Sequence, residues 1–159
     1  MFKKLLTTRS LCVSAVIAAL YAAMTLLLAP ISYGPIQLRL SEAMTLLPIL
    51  LPQAVPGLFV GCLIANLYTG MLTDIIFGSL ATLLAAIGTF LLRKKPFLAA
   101  SCPVLSNSVI VGLVLALSFH LPVALTMLEV ALGEIGAVAL GLLILSGIKR
   151  AKIDLTRLG

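Results

Sequence analysis

The sequence predicts an all-α integral membrane protein, folded as one compact bundle of six transmembrane helices. Its 159 residues are 62% hydrophobic and only 10% charged, whereas soluble domains are about 45–50% apolar and 25% charged. The length suits a single domain, residues 1–159. Ten of the eleven Lys and Arg flank apolar runs in three clusters, a pattern typical of the cytoplasmic side, where both termini are expected. The clusters are Lys3, Lys4 and Arg9; Arg93, Lys94 and Lys95; and Lys149, Arg150, Lys152 and Arg157.

The first helix is predicted over residues 10–29. Its basic start is followed by an apolar run of about 20 residues, the length that crosses a bilayer. The same pattern resembles a signal peptide, but the run is long and no clear cleavage site follows it. A retained helix is therefore expected.

The second and third helices are harder to place. Residues 43–73 are long for one membrane helix and short for two, and Pro48, Pro52 and Pro56 interrupt them. Two crossings keep every basic cluster on the inside, whereas one crossing puts two clusters outside. Short helices are therefore predicted over 36–51 and 55–69, joined at PQAVPG, with a re-entrant hairpin of the same parity left open. The later apolar runs predict helices over 71–92, 97–119 and 122–148.

Five charged residues lie in the predicted outer half of the bundle, with a formal sum of −3. They are Arg39, Glu42, Asp74, Glu129 and Glu134. Charges within a bilayer are costly and usually face a cavity or a partner. Arg39 and Glu42, three residues apart, can meet on one helix face, either as a structural pair or as the wall of a ligand cavity. The cavity is preferred because short, broken helices often mark a transporter's substrate site.

The two glutamates of the last helix lie about 140° apart around its axis, so they do not both point at one cavity. Glu129 is favoured for the cavity because it lies nearer the outside, with Glu134 a close second. Neutral candidates are Asn66, Tyr68, Asn107, Tyr33 and Gln37. Asn107, in the sequence LSNS, could equally tie helices together, and Tyr33 could equally be an interfacial anchor.

Several function classes are disfavoured. The chain has no recognisable catalytic motif and no P-loop, so neither an enzyme nor ATP hydrolysis by this chain is expected, and no cofactor is predicted. Cys12, Cys62 and Cys102 are far apart, without metal-ligand spacing. The basic residues form no folded face outside the membrane, which argues against nucleic-acid binding.

Small residues repeat every fourth position on three predicted helices. The stripes are Ala15, Ala19 and Ala23; Gly57, Gly61 and Ala65; and Gly133, Ala137 and Gly141. Such stripes let membrane helices approach closely. Each predicts either packing inside the bundle or docking of another membrane protein.

The stretch AALYAAMTLLLAPISYGPIQLRLSEAMTLLPILLPQAVPGLFVGCLIANL, followed by DIIFGSLATLLAA, resembles the QueT family. Members are substrate-binding S components of energy-coupling factor (ECF) transporters, assigned to queuosine precursors. The resemblance covers nearly the whole chain and is most specific over residues 18–90. It implies an ECF S-component-like bundle in a prokaryotic plasma membrane.

The resemblance also implies a mechanism. An S component binds its ligand from outside and docks on a module of one transmembrane T component and two ATPase subunits, which use the ATP. The family's docking feature, an alanine at every fourth position of helix one, corresponds here to Ala15, Ala19 and Ala23.

The implied ligands are 7-deazaguanines: preQ0, preQ1 or queuine. A carboxylate can accept both N–H groups of a guanine-like edge. Glu129 or Glu134 is expected to read that edge and Asn107 the carbonyl side, with Arg39 and Glu42 as the outer wall. Alternatives are an S component for another heterocyclic vitamin such as thiamine, or a stand-alone secondary transporter.

Overall fold

The chain forms a helical bundle. The computed structural model describes residues 7–32 and 39–151, and within these ranges it is helical and contains no β-strand. The helices are α1 (Thr8–Leu27), α2 (Ala29–Ser32), α3 (Leu40–Ile49), α4 (Ala54–Leu67), α5 (Asp74–Leu91), α6 (Pro96–Phe119) and α7 (Val123–Arg150). Helices α1, α5, α6 and α7 are long and apolar enough to cross a membrane, and α3 and α4 are shorter. The predicted all-α membrane bundle is confirmed.

The distribution of side chains suits a lipid environment. Large aliphatic and aromatic residues cover the outer surface, with Leu27 81% and Phe97 84% exposed. Polar residues such as Glu42, Asn66 and Asn107 are buried inside. Apolar surface on this scale favours aggregation in water, whereas lipid tails cover it without cost.

Contacts between helices show in which direction each one runs. Ser14 lies against Gly57 and Ala18 against Gly61, so α1 and α4 are parallel. Helix α3 runs parallel to α7, because its start shares a cavity with Glu134 and its later turns share a groove with residues up to Ile148. Three other neighbouring pairs are antiparallel. Helices α4 and α5 meet through Cys62 with Gly78 and Asn66 with Asp74, and α5 and α6 through Ala81 with Ser106 and Thr89 with Ala99. Helices α6 and α7 meet through Asn107 with Glu134 and Gly112 with Met127.

The six main helices therefore alternate in direction along the chain. Arg9 near the start of α1, the cluster at 93–95 between α5 and α6, and Arg150 at the end of α7 consequently lie at one end of the bundle. Basic residues gather on the cytoplasmic side, which indicates that this end is inside the cell. The opposite directions of α3 and α4 give this parity, which two crossings and a re-entrant hairpin share.

Helices α3 and α4 are short in different ways. Helix α3 is a ten-residue 3-10 helix with Pro48 inside it, although runs of this type rarely exceed three or four residues. At about 2.0 Å of rise per residue it extends about 20 Å, close to the length of the fourteen-residue α4 at about 1.5 Å per residue. Neither reaches the roughly 30 Å of a hydrocarbon core. Their described bounds, 40–49 and 54–67, lie inside the predicted 36–51 and, apart from one residue, 55–69.

Close helix packing depends on two of the predicted small-residue stripes. A Cβ added at Gly57 or Gly61 would lie 2.6 or 2.7 Å from a carbonyl oxygen of α1. One added at Gly141 would lie 2.5 Å from the carbonyl oxygen of Ala43 on α3. These stripes therefore pack inside the bundle. The third stripe, Ala15, Ala19 and Ala23, is exposed on the outer face of α1.

Candidate functional site

Polar side chains from α1, α3, α5, α6 and α7 converge in the interior of the bundle. The cluster consists of Tyr21, Arg39, Glu42, Asp74, Thr82, Asn107 and Glu134, all buried. Burying polar groups among apolar helices is costly unless they are paired or functional. Their hydrogen-bond partners show which polar atoms are occupied and which are left over.

The ion pair of Arg39 differs from the predicted one. Arg39, just before α3, contacts Asp74 with 3.7 Å between Nη2 and Oδ2, and both side chains are buried. Asp74 begins α5, whose first five residues form a π-helical turn, a local widening that is common at functional sites. Sequence spacing suggested Glu42 as the partner, because residues three apart meet on an α-helix. Here Arg39 lies at the N-cap of a 3-10 helix, and its guanidinium group reaches the start of α5.

Asn66 holds the backbone of Asp74 in place. Its Nδ2 atom donates to the carbonyl oxygen of Asp74 at 3.0 Å and to Ser79 Oγ at 3.4 Å, which ties α4 to the first turn of α5. A Cβ at Gly78 would lie 2.9 Å from that nitrogen, so a larger residue there would displace the Asn66 amide. The structure places Asn66 in this supporting position and not on the cavity wall.

Glu42 is held by two hydroxyl groups. Tyr21 on α1 donates to Glu42 Oε1, and Thr82 on α5 donates to the same oxygen at 3.3 Å. The other oxygen, Oε2, is buried without a hydrogen-bond partner. Sequence reasoning missed Tyr21 and Thr82. The available signal was that Tyr21 and Thr25 are four residues apart and are the polar residues of α1 from Ala15 onward, and both prove to be buried.

Glu134 is held by an amide. Asn107 Nδ2 on α6 donates to Glu134 Oε1 on α7 at 2.8 Å. Glu134 Oε2 and Asn107 Oδ1 are buried without a hydrogen-bond partner. Because the Asn107 amide nitrogen faces a carboxylate, its oxygen is the atom left over, and it offers an acceptor where a donor to a ligand carbonyl was predicted.

The preference for Glu129 over Glu134 is reversed by the structure. Glu134 is 5% exposed and lines the cavity, whereas Glu129 is half-buried and does not. The two carboxylates point in different directions, as their spacing predicts. Proximity to the outside was a poor guide, because Glu134 shares the buried stripe of Ala137 and Gly141 that faces α3.

A small cavity lies at the centre of this cluster. It measures about 10 Å³, roughly the space of one water molecule. Its walls come from α3, α6, α7 and the residue before α3: Arg39, Glu42, Asn107, Val111, Val130 and Glu134. The three residues that carry the free acceptors, Glu42, Asn107 and Glu134, therefore line one space together with Arg39.

The remaining predicted site residues have other positions. Tyr68, at the C-terminal end of α4, is 69% exposed and contributes nothing to the buried cluster. Tyr33 and Gln37 lie outside the described residues. Within 7–32 and 39–151, no group of three or more His, Cys, Asp or Glu could hold a metal ion.

Comparison with known proteins identifies the family. The family model described as QueT transporter matches residues 11–150. The chain belongs to the QueT transporter family. The Queuosine precursor transporter QueT of Lactococcus lactis subsp. cremoris (strain MG1363) is 28% identical over 158 residues, covering 90% of this chain and 93% of that protein. No solved structure matches this QueT family member.

Family membership and fold together give the general role of the protein. It is a transporter, not an enzyme, and a multi-pass protein of the prokaryotic cell membrane. Buried polar groups inside a membrane protein mark a candidate functional site. In this QueT protein that feature lies between the short α3 and the long α6 and α7.

Proposed function

We propose that the protein is the substrate-binding S component of an ECF-type importer for queuosine precursors, the 7-deazaguanines preQ0, preQ1 and queuine. The family and the name of the Lactococcus relative support the substrate class. The observation that carries the proposal is the set of three buried, unpartnered acceptors around Arg39. They call for a ligand that has several N–H donors and at least one acceptor.

A 7-deazaguanine has that pattern. Its guanine edge places two adjacent N–H donors beside a carbonyl oxygen. The neighbouring acceptors of Glu134 and Asn107 suit the donors, and the Arg39 guanidinium suits the carbonyl oxygen. Asn107 thus joins Glu134 on the donor side of the ligand, in place of the carbonyl side expected from the sequence.

Ligand binding would require the cavity to widen. A bicyclic base is larger than the space of one water, so α3 has to move away from α6 and α7. Helix α3 suits such movement, because 3-10 hydrogen bonds have poorer geometry than α-helical ones and a segment of this type often acts as a hinge. Binding of the ligand would then replace contacts between the helices with contacts to the base.

The outer face of α1 would dock the ECF module. Ala15, Ala19 and Ala23 form an exposed strip, and small residues let another membrane helix approach closely. The opposite face of α1 already packs on α4 through Ala18 and Tyr21. The chain would use no cofactor, since partner ATPase subunits would hydrolyse the ATP.

Calorimetric titration of the purified protein in detergent tests the substrate. We expect one-to-one binding of at least one of preQ1, preQ0 and queuine, and no heat from thiamine. Glu134→Gln should weaken binding of every deazaguanine, and the matched Glu129→Gln should not. Thiamine binding without deazaguanine binding would support the alternative of another heterocyclic vitamin. If a folded sample gave no binding heat with any of the four ligands, the proposed substrate class would be contradicted.

Uptake assays test the coupling. Cells that express the chain with the ECF module should accumulate labelled deazaguanine, and cells with the chain alone should not. The T component should co-purify with the chain. Uptake by the chain alone would contradict the S-component proposal and support a stand-alone secondary transporter.

A further inference from the structure

The formal charges around the cavity do not balance. Arg39 and Asp74 pair with each other, which leaves the carboxylates of Glu42 and Glu134 as a formal excess of two negative charges. Glu42 is 1% exposed and Glu134 is 5% exposed. Burial of charges without counter-charges is strongly unfavourable.

No side chain is available to neutralise this excess. Arg39 is the one Lys or Arg of the 159-residue sequence outside the three basic clusters. Its single positive charge is set against three buried carboxylates, those of Asp74, Glu42 and Glu134. The described members of those clusters lie at the opposite, cytoplasmic end of the helices. The missing positive charge therefore comes from outside the chain, either as protons on the carboxyl groups or as a bound cation.

The free oxygens show how a cation would fit. Glu42 and Glu134 are each anchored through Oε1, by the hydroxyls of Tyr21 and Thr82 and by the Asn107 amide respectively. Each keeps Oε2 buried and without a hydrogen-bond partner. The protein thus orients both carboxylates and leaves one oxygen of each able to accept a hydrogen bond from a ligand.

From this we infer that the cavity selects cationic 7-deazaguanines over neutral ones, and that Glu42 binds the ligand's ammonium group. The inference rests on the proposed function and names the substrate within its class. The adjacent acceptors of Glu134 and Asn107 match the adjacent donors of the guanine edge. The separate carboxylate of Glu42 is then left for the aminomethyl group of preQ1, an aliphatic amine that is protonated at neutral pH, as lysine is.

The nitrile of preQ0 provides no such charge. A neutral ligand would leave both carboxylates without a counter-charge, whereas preQ1 neutralises one of them through a charge-assisted hydrogen bond, the stronger kind. The ligands preQ1 and preQ0 have nearly equal size and identical guanine edges. A difference in their affinities therefore reports on the charge of the side group and not on size or edge recognition.

The test is calorimetric titration of the full chain with three ligands: preQ1, preQ0 and 7-hydroxymethyl-7-deazaguanine. The last replaces the ammonium of preQ1 with a hydroxyl of similar size. We expect preQ1 to bind at least tenfold more tightly than either neutral ligand, a difference of about 1.4 kcal/mol. Equal affinities, or tighter binding of a neutral ligand, would overturn the inference and leave the proposed function intact. Failure of all three to bind would instead overturn the proposed function.

Two variants locate the charge recognition. Glu42→Gln should remove most of the preference for preQ1 and leave the affinity for the hydroxymethyl ligand within about threefold of the parent's. Glu134→Gln should weaken both ligands together, and Glu129→Gln, on the same helix as Glu134 but outside the cavity, should change neither. Loss of the preference in Glu134→Gln but not in Glu42→Gln would overturn the assignment to Glu42. Size-exclusion elution checks that each variant is folded, and the wild-type ranking remains decisive if one is not.

Discussion

The two faces of α1 carry similar residues and have opposite surroundings. One face presents Ala18 and Tyr21 to α4, where backbone and side-chain atoms of α1 leave no room for a Cβ at Gly61. The other face presents Ala15 and Ala19 to the surroundings of the bundle. In the sequence both faces carry alanines at helical spacing, Ala18 and Ala22 on the first and Ala15, Ala19 and Ala23 on the second. The difference shows that the same pattern serves internal packing on one side and leaves a surface available for a partner on the other.

The buried face of α1 also supports the cavity. Tyr21 contacts the Gly61 position through its Cβ and donates its hydroxyl to Glu42. Thr25, one turn later, lies 2.7 Å from Ser41 with its hydroxyl oxygen. Packing and ligand recognition therefore meet on one side of a helix whose other side is exposed.

The largest expected effect comes from filling the packed face. Gly61→Leu places a branched side chain where even a Cβ lies 2.7 Å from the Ala18 carbonyl oxygen, and overpacking of this kind typically costs about 1–3 kcal/mol or more. We expect a clear fall in the thermal unfolding midpoint of the protein in detergent. The matched Ala19→Leu, on the exposed face, should stay within about 0.5 kcal/mol of the parent. Equal losses for the two variants would contradict the assignment of the faces.

Much of the fold is predictable from the sequence, because hydropathy and the placement of basic residues act over whole helices. The apolar runs predict the long helices, and the three basic clusters predict that the segment containing α3 and α4 turns back on itself, as the opposite directions of these two helices show. The 3-10 form of α3 was not predictable. Pro48 removes one backbone donor, but the choice between an interrupted α-helix and a 3-10 helix depends on how far the segment must extend against α5 and α7.

The cavity was only partly predictable, since it depends on the rotation of each helix. Arg39, Glu42 and Glu134 are predictable as site candidates, because the free-energy cost of a charge inside the membrane marks such residues as functional. Which atoms pair depends on a few tens of degrees of rotation. That is why the contact of Arg39 with Asp74 was not predicted, and why Glu134 and not Glu129 lines the cavity.

A second, selective effect is expected on the exposed face. Ala19→Leu should leave ligand affinity unchanged and reduce uptake by ECF-coupled cells at least tenfold, because a larger side chain keeps a partner helix from approaching closely. Uptake and calorimetry on the same variant provide the measurement. Val16→Leu, on an exposed position of α1 that is already large, is the matched control and should retain uptake. Normal uptake by Ala19→Leu would show that the partner docks elsewhere.

The smallest effect is expected from a variant that separates the two roles of the buried face of α1, namely packing against α4 and support of Glu42. Tyr21→Phe keeps the ring that packs beside Gly61 and removes the hydroxyl that donates to Glu42. A hydrogen bond to a charged group contributes about 1.5–3 kcal/mol, but Thr82 still donates to the same oxygen, so part of the orientation of Glu42 survives. We expect a three- to tenfold loss of preQ1 affinity with little change for the hydroxymethyl ligand, measured by calorimetry. A uniform loss for both ligands would mean that Tyr21 acts through the packing of α1 against α4, and that Glu42 has no special relation to the ammonium group.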